Sequence, residues 1–384
     1  MSKTYETIII GGGIAGLACA RRLHEAKRDF LLITEDVGGR IKTSKDGKVN
    51  YGAFFVTDEY KHLLPWVIKG RRIRIRDLLW HKGGRPYHIM ALEAIPYMAQ
   101  YIRLYVQLIK FKQHYRTFKK RCESMSQEEG LDLDPYLKGL YKKRTAKLLH
   151  ELKINEIVDK YVHEMLYAMS FVSDKQSSAF AFLQWTSQLL SSGIYEFKFK
   201  KDKLVNPIKN KIKKGSVVRI GNKRTSYVVT TRSGKTIAAR NVVVATPPLV
   251  TKKLLHLKRV NRPLSAYMKH VRGMVHKAYA DGREELFNPH SKMCVISKQT
   301  DGTYLVYSKS KEVNLRQYFA RHKILSEVYW SPAFVYPSSF ILDQNPKPNL
   351  YVAGDPNVGG MEDAYITGLY AANQIIKTWC TTKS

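Results

Sequence analysis

The sequence has few cysteines, few acidic residues and no long hydrophobic run. Its four cysteines among 384 residues are far apart and form no C-x-x-C pair, which argues against a disulfide framework or a zinc site and fits a reducing compartment. No stretch reaches the ~18 consecutive apolar residues of a transmembrane helix. The apolar run 8–10 leads into glycines without the features of a secretory signal. His163 and Glu164 begin like an H-E-x-x-H zinc motif, but Tyr167 occupies the second ligand position.

Basic residues outnumber acidic ones two to one, with 65 Lys and Arg against 32 Asp and Glu and a formal net charge of +33. Such an excess favours anionic partners, namely nucleic acid, an anionic membrane surface or an acidic substrate, and it repels polycationic ligands. A general basic bias of the proteome is an equally good explanation. The hydrophobic fraction of 44% indicates a globular protein, and the length predicts two intimately connected domains.

The N-terminal stretch ETIIIGGGIAGLACARRL, residues 6–23, has the pattern of a strand, a glycine turn and a helix. Residues 7–10 are β-branched and continuous, which predicts a short buried parallel strand. A helical pattern follows from 14 to about 26, and residues 29–34 predict a second strand. The glycines therefore lie within a predicted βαβ unit, which is the context that a dinucleotide-binding fingerprint requires.

Gly11, Gly13 and Gly16 satisfy G-x-G-x-x-G. The first glycine allows the tight turn, the second lets a pyrophosphate approach the backbone, and the third allows close packing of helix and strand. The helix N-terminus supplies N–H groups and a partial positive charge. An acidic residue about 20 positions on should bind a ribose hydroxyl, and both Glu35 and Asp36 are candidates.

Motifs elsewhere in the chain distinguish between NAD and FAD. These are VGGRI at 37–41, Gly52-Ala53, the segment 216–234, ATPP at 245–248, and AGD at 353–355 followed by MEDA at 361–364. Together with the glycine turn, they resemble the superfamily of FAD-dependent amine oxidases, phytoene desaturases and protoporphyrinogen oxidases. The resemblance covers both ends and the middle of the chain, and the single fingerprint argues against a second, nicotinamide-binding fold.

The resemblance implies that the adenosine diphosphate half of FAD lies on the first glycine turn. The residues implied to line the pyrophosphate are Gly11, Gly13, Ile14, Ala15 and Gly16. Glu35 is implied to hold the adenosine ribose, and the backbone of Val217 is implied to meet the adenine.

The resemblance also implies a second set of contacts along the flavin half. These residues are Gly39, Arg40, Gly52, Ala53, Gly354, Asp355, Met361 and Glu362. Arg40 and Asp355 would lie beside the phosphates and ribityl chain, and Met361 and Glu362 would bring a helix N-terminus to the pyrimidine edge of the flavin. A positive helix end there stabilises an anionic reduced flavin. No cysteine occupies the position of the covalent members, so non-covalent FAD is predicted.

Two residues are candidates for the reaction itself. Lys277 resembles a lysine that many amine oxidases bridge through water to flavin N5, where a cation stabilises developing negative charge. Trp330 resembles an aromatic near the substrate face. An ordinary solvated lysine and a core tryptophan are the alternatives. Gly360 stands where many amine oxidases carry a tyrosine of an aromatic cage.

The sequence predicts an α/β fold in which a Rossmann-like FAD-binding domain of the two-dinucleotide-binding-domain type carries an inserted α+β substrate domain. The predicted FAD-binding domain is discontinuous, at 1–56, 201–250 and 331–384, and the substrate domain comprises 57–200 and 251–330. Within the latter, Leu92, Ile95, Ala99, Ile102, Val106 and Ile109 form an apolar stripe. This stripe predicts an amphipathic helix that buries it in the domain, with a basic helix lying on a membrane as the alternative.

The predicted function is an FAD-dependent oxidoreductase, cytoplasmic, that transfers hydride from a substrate C–H to flavin N5 by amine oxidation or C–C desaturation. The net charge favours a small anionic or amphipathic substrate over a polyamine. The alternative is a non-catalytic FAD-fold protein that binds nucleic acid or anionic membrane through its basic surface. Peripheral membrane contact is compatible with either function, and nucleic acid is the less favoured partner.

Overall fold

A computed structural model of the chain describes residues 4–53, 55–74, 78–82, 85–87, 92–163, 166, 175, 177–188, 191–223, 226–276, 285–287, 293–336 and 338–381. The helices in these ranges are α1 (Ile14–Glu25), α2 (Met98–Arg121), α3 (Gln127–Asp132), α4 (Pro135–Lys142), α5 (Thr145–Leu152), α6 (Asn155–Ile157), α7 (Ala179–Ser187), α8 (Lys201–Val205), α9 (Pro248–Leu255) and α10 (Met361–Thr381). The strands are β1 (Thr4–Gly12), β2 (Phe30–Val37), β3 (Val56–Thr57), β4 (Val67–Ile73), β5 (Leu78–Lys82), β6 (Arg85–Tyr87), β7 (Ile194–Phe199), β8 (Ile212–Lys214), β9 (Val217–Lys223), β10 (Ser226–Thr231), β11 (Thr236–Val244), β12 (Pro263–Val275), β13 (Glu285–Phe287), β14 (Met293–Lys298), β15 (Tyr304–Ser308), β16 (Phe319–Val335) and β17 (Leu350–Val352).

The first sheet is the predicted Rossmann-like sheet. Its order is β8-β2-β1-β11-β10-β9, with β17 also paired to β11. Strands β8, β2, β1, β11 and β17 run parallel to one another. Strand β10 pairs antiparallel with both of its neighbours, β11 and β9. Ile8 and Ile9 at the centre of β1 are fully buried, as a parallel strand covered on both faces should be. The prediction of a mixed α/β fold with a Rossmann-like sheet is therefore confirmed.

The first and last helices pack closely beside this sheet. A Cβ at Gly368 of α10 would lie 2.1 Å from the carbonyl oxygen of Ala15 in α1, so only a glycine allows this approach of the two helices. Ala371 and Ala372 of α10 are fully buried in the same apolar cluster as Ala15. The C-terminal helix thus covers the N-terminal βαβ unit.

A second sheet, β16-β12-β15-β14-β13-β5-β6, and a small sheet, β3-β7-β4, complete the described part of the fold. The long strands β12 and β16 pair antiparallel from Pro263↔Val335 to Val275↔Phe319. Helices α2 and α7 contribute Phe111, Phe118 and Phe180 to an apolar cluster that includes Trp330 of β16. β16 continues beyond residue 330, where a boundary was predicted, and the division into two domains stays a prediction.

Helix α2 differs from its prediction. It begins at Met98, after a 3₁₀ turn over Leu92–Tyr97 that contains Pro96. The side chains that α2 buries are Leu104, Leu108, Phe111, Tyr115 and Phe118. Ile102, Val106 and Ile109 of the predicted buried stripe are exposed, so the prediction that this stripe is buried was wrong. Two apolar stripes run along α2, and the one with three aromatic rings packs into the core.

Candidate FAD site

In the glycine turn between β1 and α1, one glycine has open space where a Cβ would lie, and two have none. Gly11 has φ +107°, and a Cβ there would lie 2.3 Å from the carbonyl oxygen of Ala245, in the turn after β11. A Cβ at Gly16 would lie 1.9 Å from the carbonyl oxygen of Gly11. Gly13 is the N-cap of α1, and a Cβ there would meet nothing within 4 Å. The turn therefore presents a bare backbone and a helix N-terminus to open space at Gly13, which suits a phosphate.

The VGGR segment lies directly against this turn. The N–H of Gly38 donates to the carbonyl oxygen of Gly12 at 2.8 Å. Gly39 has φ +58°, and a Cβ there would lie 3.0 Å from Cα of Gly13. The hydroxyl of Thr34 on β2 accepts from the N–H of Gly12 at 2.9 Å. The two glycine motifs thus form one continuous backbone surface.

An arginine and an aspartate join the two ends of the chain at this surface. The Arg40 guanidinium donates to both carboxylate oxygens of Asp355, at 2.8 and 2.6 Å, and to the carbonyl oxygen of Ala333 at 3.2 Å. Asp355 follows β17, whose end is fixed by a bond from the N–H of Gly354 to the Thr367 hydroxyl at 2.8 Å. Such bidentate pairs are directional, so they hold residues 40 and 355 in one geometry.

The segment at Gly52 lies against the second sheet. A Cβ at Gly52 would lie 1.7 Å from the carbonyl oxygen of Arg40 and 3.5 Å from Cζ2 of Trp330. The Tyr307 hydroxyl donates to the carbonyl oxygen of Tyr51 at 2.9 Å. Trp330 is buried, and its Nε1–H has no hydrogen-bond partner among the described residues. A buried N–H of this kind is costly, and because protein atoms enclose it it is not open to a ligand in this arrangement.

The N-terminus of α10 is held by buried polar contacts. The Glu362 carboxylate accepts from the N–H groups of His62 and Leu63 at 2.9 and 3.1 Å, and it lies 2.8 Å from Nδ1 of His62. The Nε2 of His62 lies 3.1 Å from the Glu123 carboxylate. The hydrogen bond to Glu362, aided by the charges of Glu362 and Glu123, raises the pKa of His62 against the effect of burial. The side chain of Glu362 is thus bonded within the protein, and its contact with the flavin stays a prediction.

Asp363, the next residue, belongs to a second buried polar group. The Tyr115 hydroxyl of α2 lies 2.7 Å from both Asp363 carboxylate oxygens, and Nε2 of Gln184 of α7 lies 3.3 Å from one of them. Gln184 also donates to the carbonyl oxygen of Gly359 at 2.6 Å. Burial raises the pKa of Asp363 to about 7. Three helices therefore meet at the start of α10 through one carboxyl group.

The remaining predicted site residues lie in several places. Glu35 lies on β2 with an exposed side chain 3.8 Å from the Arg232 guanidinium, and the Asp36 carboxylate accepts from the N–H of Val37 at 2.8 Å. Both stay candidates for the ribose. Val217 begins β9 and is buried. Ala53 and Met361 pack at the edge of the apolar cluster between helices α1 and α10. Ile14 and Ala15 lie in the first turn of α1. Lys277 lies outside the described residues.

Sequence reasoning missed Thr34, His62, Tyr115, Gln184 and Asp363. Thr34 is the last residue of the predicted second strand, and its hydroxyl accepts from the N–H of Gly12 on the neighbouring strand. The others carried none, because Tyr115, Gln184 and Asp363 lie on three different helices. His62, between β3 and β4, contacts Glu362 from 300 positions away.

The described residues fit FAD in kind. Gly13 offers an open backbone at a helix N-terminus, and the ring of Trp330 lies beside Gly52. Gly360 has φ +127°, a conformation that disfavours any side chain larger than hydrogen, at the position where the resemblance places a cage tyrosine. A dinucleotide at the glycine turn and a flat ring near Gly52 are compatible with these features.

Comparisons with known proteins agree with this reading. The family described as NAD(P)-binding Rossmann-like domain matches residues 9–67. Bovine (Bos taurus) "Amine oxidase [flavin-containing] B" is 33% identical over 69 residues, which is 17% of this chain and only 13% of that protein.

Solved structures match over the whole chain. Cyclohexylamine oxidase from Brevibacterium oxydans has a TM-score of 0.69 at 14% identity and covers 98% of this chain and 100% of its own. Wild-type putrescine oxidase bound to putrescine has a TM-score of 0.70 at 12% identity with the same coverage. An oxidoreductase from Methanosarcina mazei has a TM-score of 0.64 at 13% identity and covers 94% of this chain and 98% of its own. Residues 9–67 are thus similar to a Rossmann-like domain, and the chain shares the fold of these solved structures.

Proposed function

We propose that the chain is an FAD-dependent oxidoreductase of the amine oxidase or desaturase type. The observation that carries the proposal is the bidentate Arg40–Asp355 pair, which joins the two glycine motifs of the N-terminal region to the Gly354–Asp355 corner at the C-terminal end of the sheet. The fold of amine oxidases supports it.

When bound, FAD would supply the acceptor for a hydride from a substrate C–H. The chain's own contribution is binding and electrostatics. Gly13 leaves room for a diphosphate beside the partial positive charge of the α1 N-terminus. Side-chain bonds to α2 and to His62 fix the start of α10. This helix N-terminus would supply a second partial positive charge to the bound cofactor. Trp330, whose ring lies beside Gly52, would supply an aromatic surface near the substrate.

The substrate class is inferred from charge. A chain at +33 disfavours polycations and favours a small anionic or amphipathic molecule. The named substrates of two structural relatives are amines, so amines are the class against which this inference is tested. Anaerobic mixing of the purified protein with separate pools of carboxylated, prenylated and amine compounds should bleach flavin absorbance with the first two pools. Bleaching by amines alone would reverse the assignment.

Binding of the cofactor is tested by substitution at the open glycine. Gly13→Glu places a carboxylate where the diphosphate would lie, and we expect at least a tenfold loss of FAD retained per chain on purification. Gly139→Glu is the matched control, because Gly139 of α4 also has nothing within 4 Å of its Cβ position and lies outside the site. Acid precipitation should release the flavin from wild-type protein, as non-covalent binding requires. Full retention of FAD by Gly13→Glu would reject the assignment of this turn.

A non-catalytic protein that binds nucleic acid or an anionic membrane is the alternative, and the net charge is the observation that favours it. It predicts that no substrate pool reduces the flavin while RNA or vesicles bind in a salt-sensitive manner. Flavin reduction by any pool at a rate that supports turnover would decide for the enzyme.

A further inference from the structure

The outer face of α2 carries a second apolar stripe that no described part of the chain buries. The stripe, with its extension into the preceding 3₁₀ turn, is called the α2 outer stripe, and its side chains are between 39% and 63% exposed. Its members are Ile95, Met98, Ile102, Tyr105, Val106 and Ile109. From Met98 to Ile109 it extends about 18 Å along the helix. A surface helix of a soluble domain normally carries polar residues on the face away from the core. On α2, apolar residues occupy that face instead.

The opposite face of α2 already satisfies the packing of the domain. Leu104, Leu108, Phe111 and Phe118 are buried in the main apolar cluster, and Tyr115 bonds to Asp363. The α2 outer stripe is therefore not the core-facing side of the helix. It is a separate apolar surface on a helix whose position is fixed from the other side.

The charge around the stripe restricts what can cover it. Met98–Arg121 contains no Asp or Glu and seven Lys or Arg. Arg103 and Lys110 flank the stripe, and Lys120 continues the same face toward the C-terminal end of the helix, all three exposed. Arg116 lies on this face too and is 3.5 Å from the Glu59 carboxylate. A second copy of α2 packed on this face would bring like charges together, which is unfavourable. Nucleic acid would match the cations but not the aliphatic side chains.

An anionic lipid surface matches both features. Aliphatic and tyrosine side chains enter the boundary between headgroups and acyl chains, while flanking lysines and arginines contact anionic headgroups. Among the described residues, no helix is both long and apolar enough to cross a membrane, so the contact would be peripheral. We propose that the α2 outer stripe and its basic rim dock the protein on an anionic membrane. The proposal is independent of the FAD-dependent activity proposed above.

Vesicle flotation with the full-length protein tests this. We expect wild-type protein to float with vesicles of phosphatidylcholine and phosphatidylserine but not with phosphatidylcholine alone, and to be released progressively between 0.05 and ~0.5 M salt. The double variant Ile102→Gln/Val106→Gln should lower the partition coefficient at least tenfold. Leu249→Gln/Val250→Gln is the matched control, since both are exposed apolar residues on α9, and it should float like wild type.

The basic rim is tested in the same way. Arg103→Glu/Lys120→Glu should weaken flotation and reduce its salt dependence, whereas Lys252→Glu/Lys253→Glu on α9 reverses the same number of exposed charges and should have a smaller effect. Equal losses in both pairs would mean that net charge alone drives binding, which would overturn the assignment to α2.

Hydrogen exchange of wild-type protein provides a readout that needs no variant. Vesicle binding should protect amides at the start of α2 and leave α9 unchanged. Absence of protection at α2, or failure of wild-type protein to float, would reject the proposal. If the stripe variant instead converts a dimer into a monomer in sedimentation, the stripe is an interface between copies and the proposal fails.

Discussion

At the scale of single residues, the start of α10 has two adjacent carboxyl groups with opposite surroundings. Glu362 accepts backbone N–H groups and contacts His62, whereas Asp363 is enclosed by Tyr115 and Gln184. The pKa of Asp363 is raised to about 7 by burial, because no cation bonds to it directly. The Asp363 carboxyl group therefore changes its charge near neutral pH. It does so in the first turn of α10, the helix that the cofactor would face.

Replacing Asp363 by Asn should flatten the pH dependence of stability. The folded-state pKa of about 7 lies above the carboxyl group's ordinary value of 3.8, so the folded chain binds the proton more tightly, and this stabilisation is lost as pH rises from about 4 to 7. The loss amounts to at most about 4 kcal/mol. Denaturant unfolding of wild type and Asp363→Asn between pH 5 and 8 should give curves that diverge, and parallel curves would contradict the buried, protonated carboxyl.

His62 should act with the same sign but a different partner. Its folded-state pKa is raised, chiefly by the hydrogen bond to Glu362. The stabilisation is fully present below the unfolded pKa of about 6.5 and is lost as pH rises through the folded pKa. His62→Gln should lower the free energy of unfolding by about 1–3 kcal/mol at pH 6. A difference that does not shrink by pH 9 would show that the imidazolium charge is not the stabilising group.

At the scale of secondary-structure elements, close backbone approach determines how α1 and α10 cover the sheet. Gly16 and Gly368 each lie where a Cβ would overlap a carbonyl oxygen, that of Gly11 and that of Ala15 respectively. The contact depends on the missing side chain and not on flexibility, because neither glycine has a positive φ.

Gly368→Ala should therefore destabilise the protein, by about 1–3 kcal/mol or more, because the methyl group must displace α1 from α10. Gly139→Ala in α4 makes the same chemical change at a helical site with open space. There the better helix propensity of alanine should stabilise by about 0.5–1 kcal/mol. Thermal unfolding of the two variants checks the sign, and equal shifts would refute the packing argument.

The sequence predicted what depends on local rules. Gly11, Gly13 and Gly16 define a turn by spacing alone, and the predicted helix from residue 14 and the strands on either side are confirmed within a few residues. The orientation of α2 was beyond such rules, because Ile102 and Leu104 belong to two apolar stripes and only the surrounding domain selects one. The group formed by Tyr115, Gln184 and Asp363 was equally hidden, since its members meet only after three helices have packed.

At the scale of the whole molecule, the Arg40–Asp355 pair connects segments that are 315 positions apart. Arg40→Gln would leave Asp355 without its bidentate partner. Because Arg40 is 36% exposed, we expect a loss of only about 1–3 kcal/mol in unfolding free energy, together with weaker retention of FAD.

The control is an exposed ion pair elsewhere. Lys175 and Asp159 are both about half exposed, so Lys175→Gln should change stability by no more than about 0.5 kcal/mol and leave bound FAD unchanged. Similar losses in both variants would show that the Arg40 pair has no special structural role.

The span of that pair also has a consequence for biosynthesis. A nascent chain that has just left the ribosome with its first βαβ segment already holds the glycine turn, but β11 and then Asp355 are translated only much later. Chains that end before residue 355 would lack the partner of Arg40, so, with FAD bound as proposed, flavin loading would have to follow completion of the polypeptide.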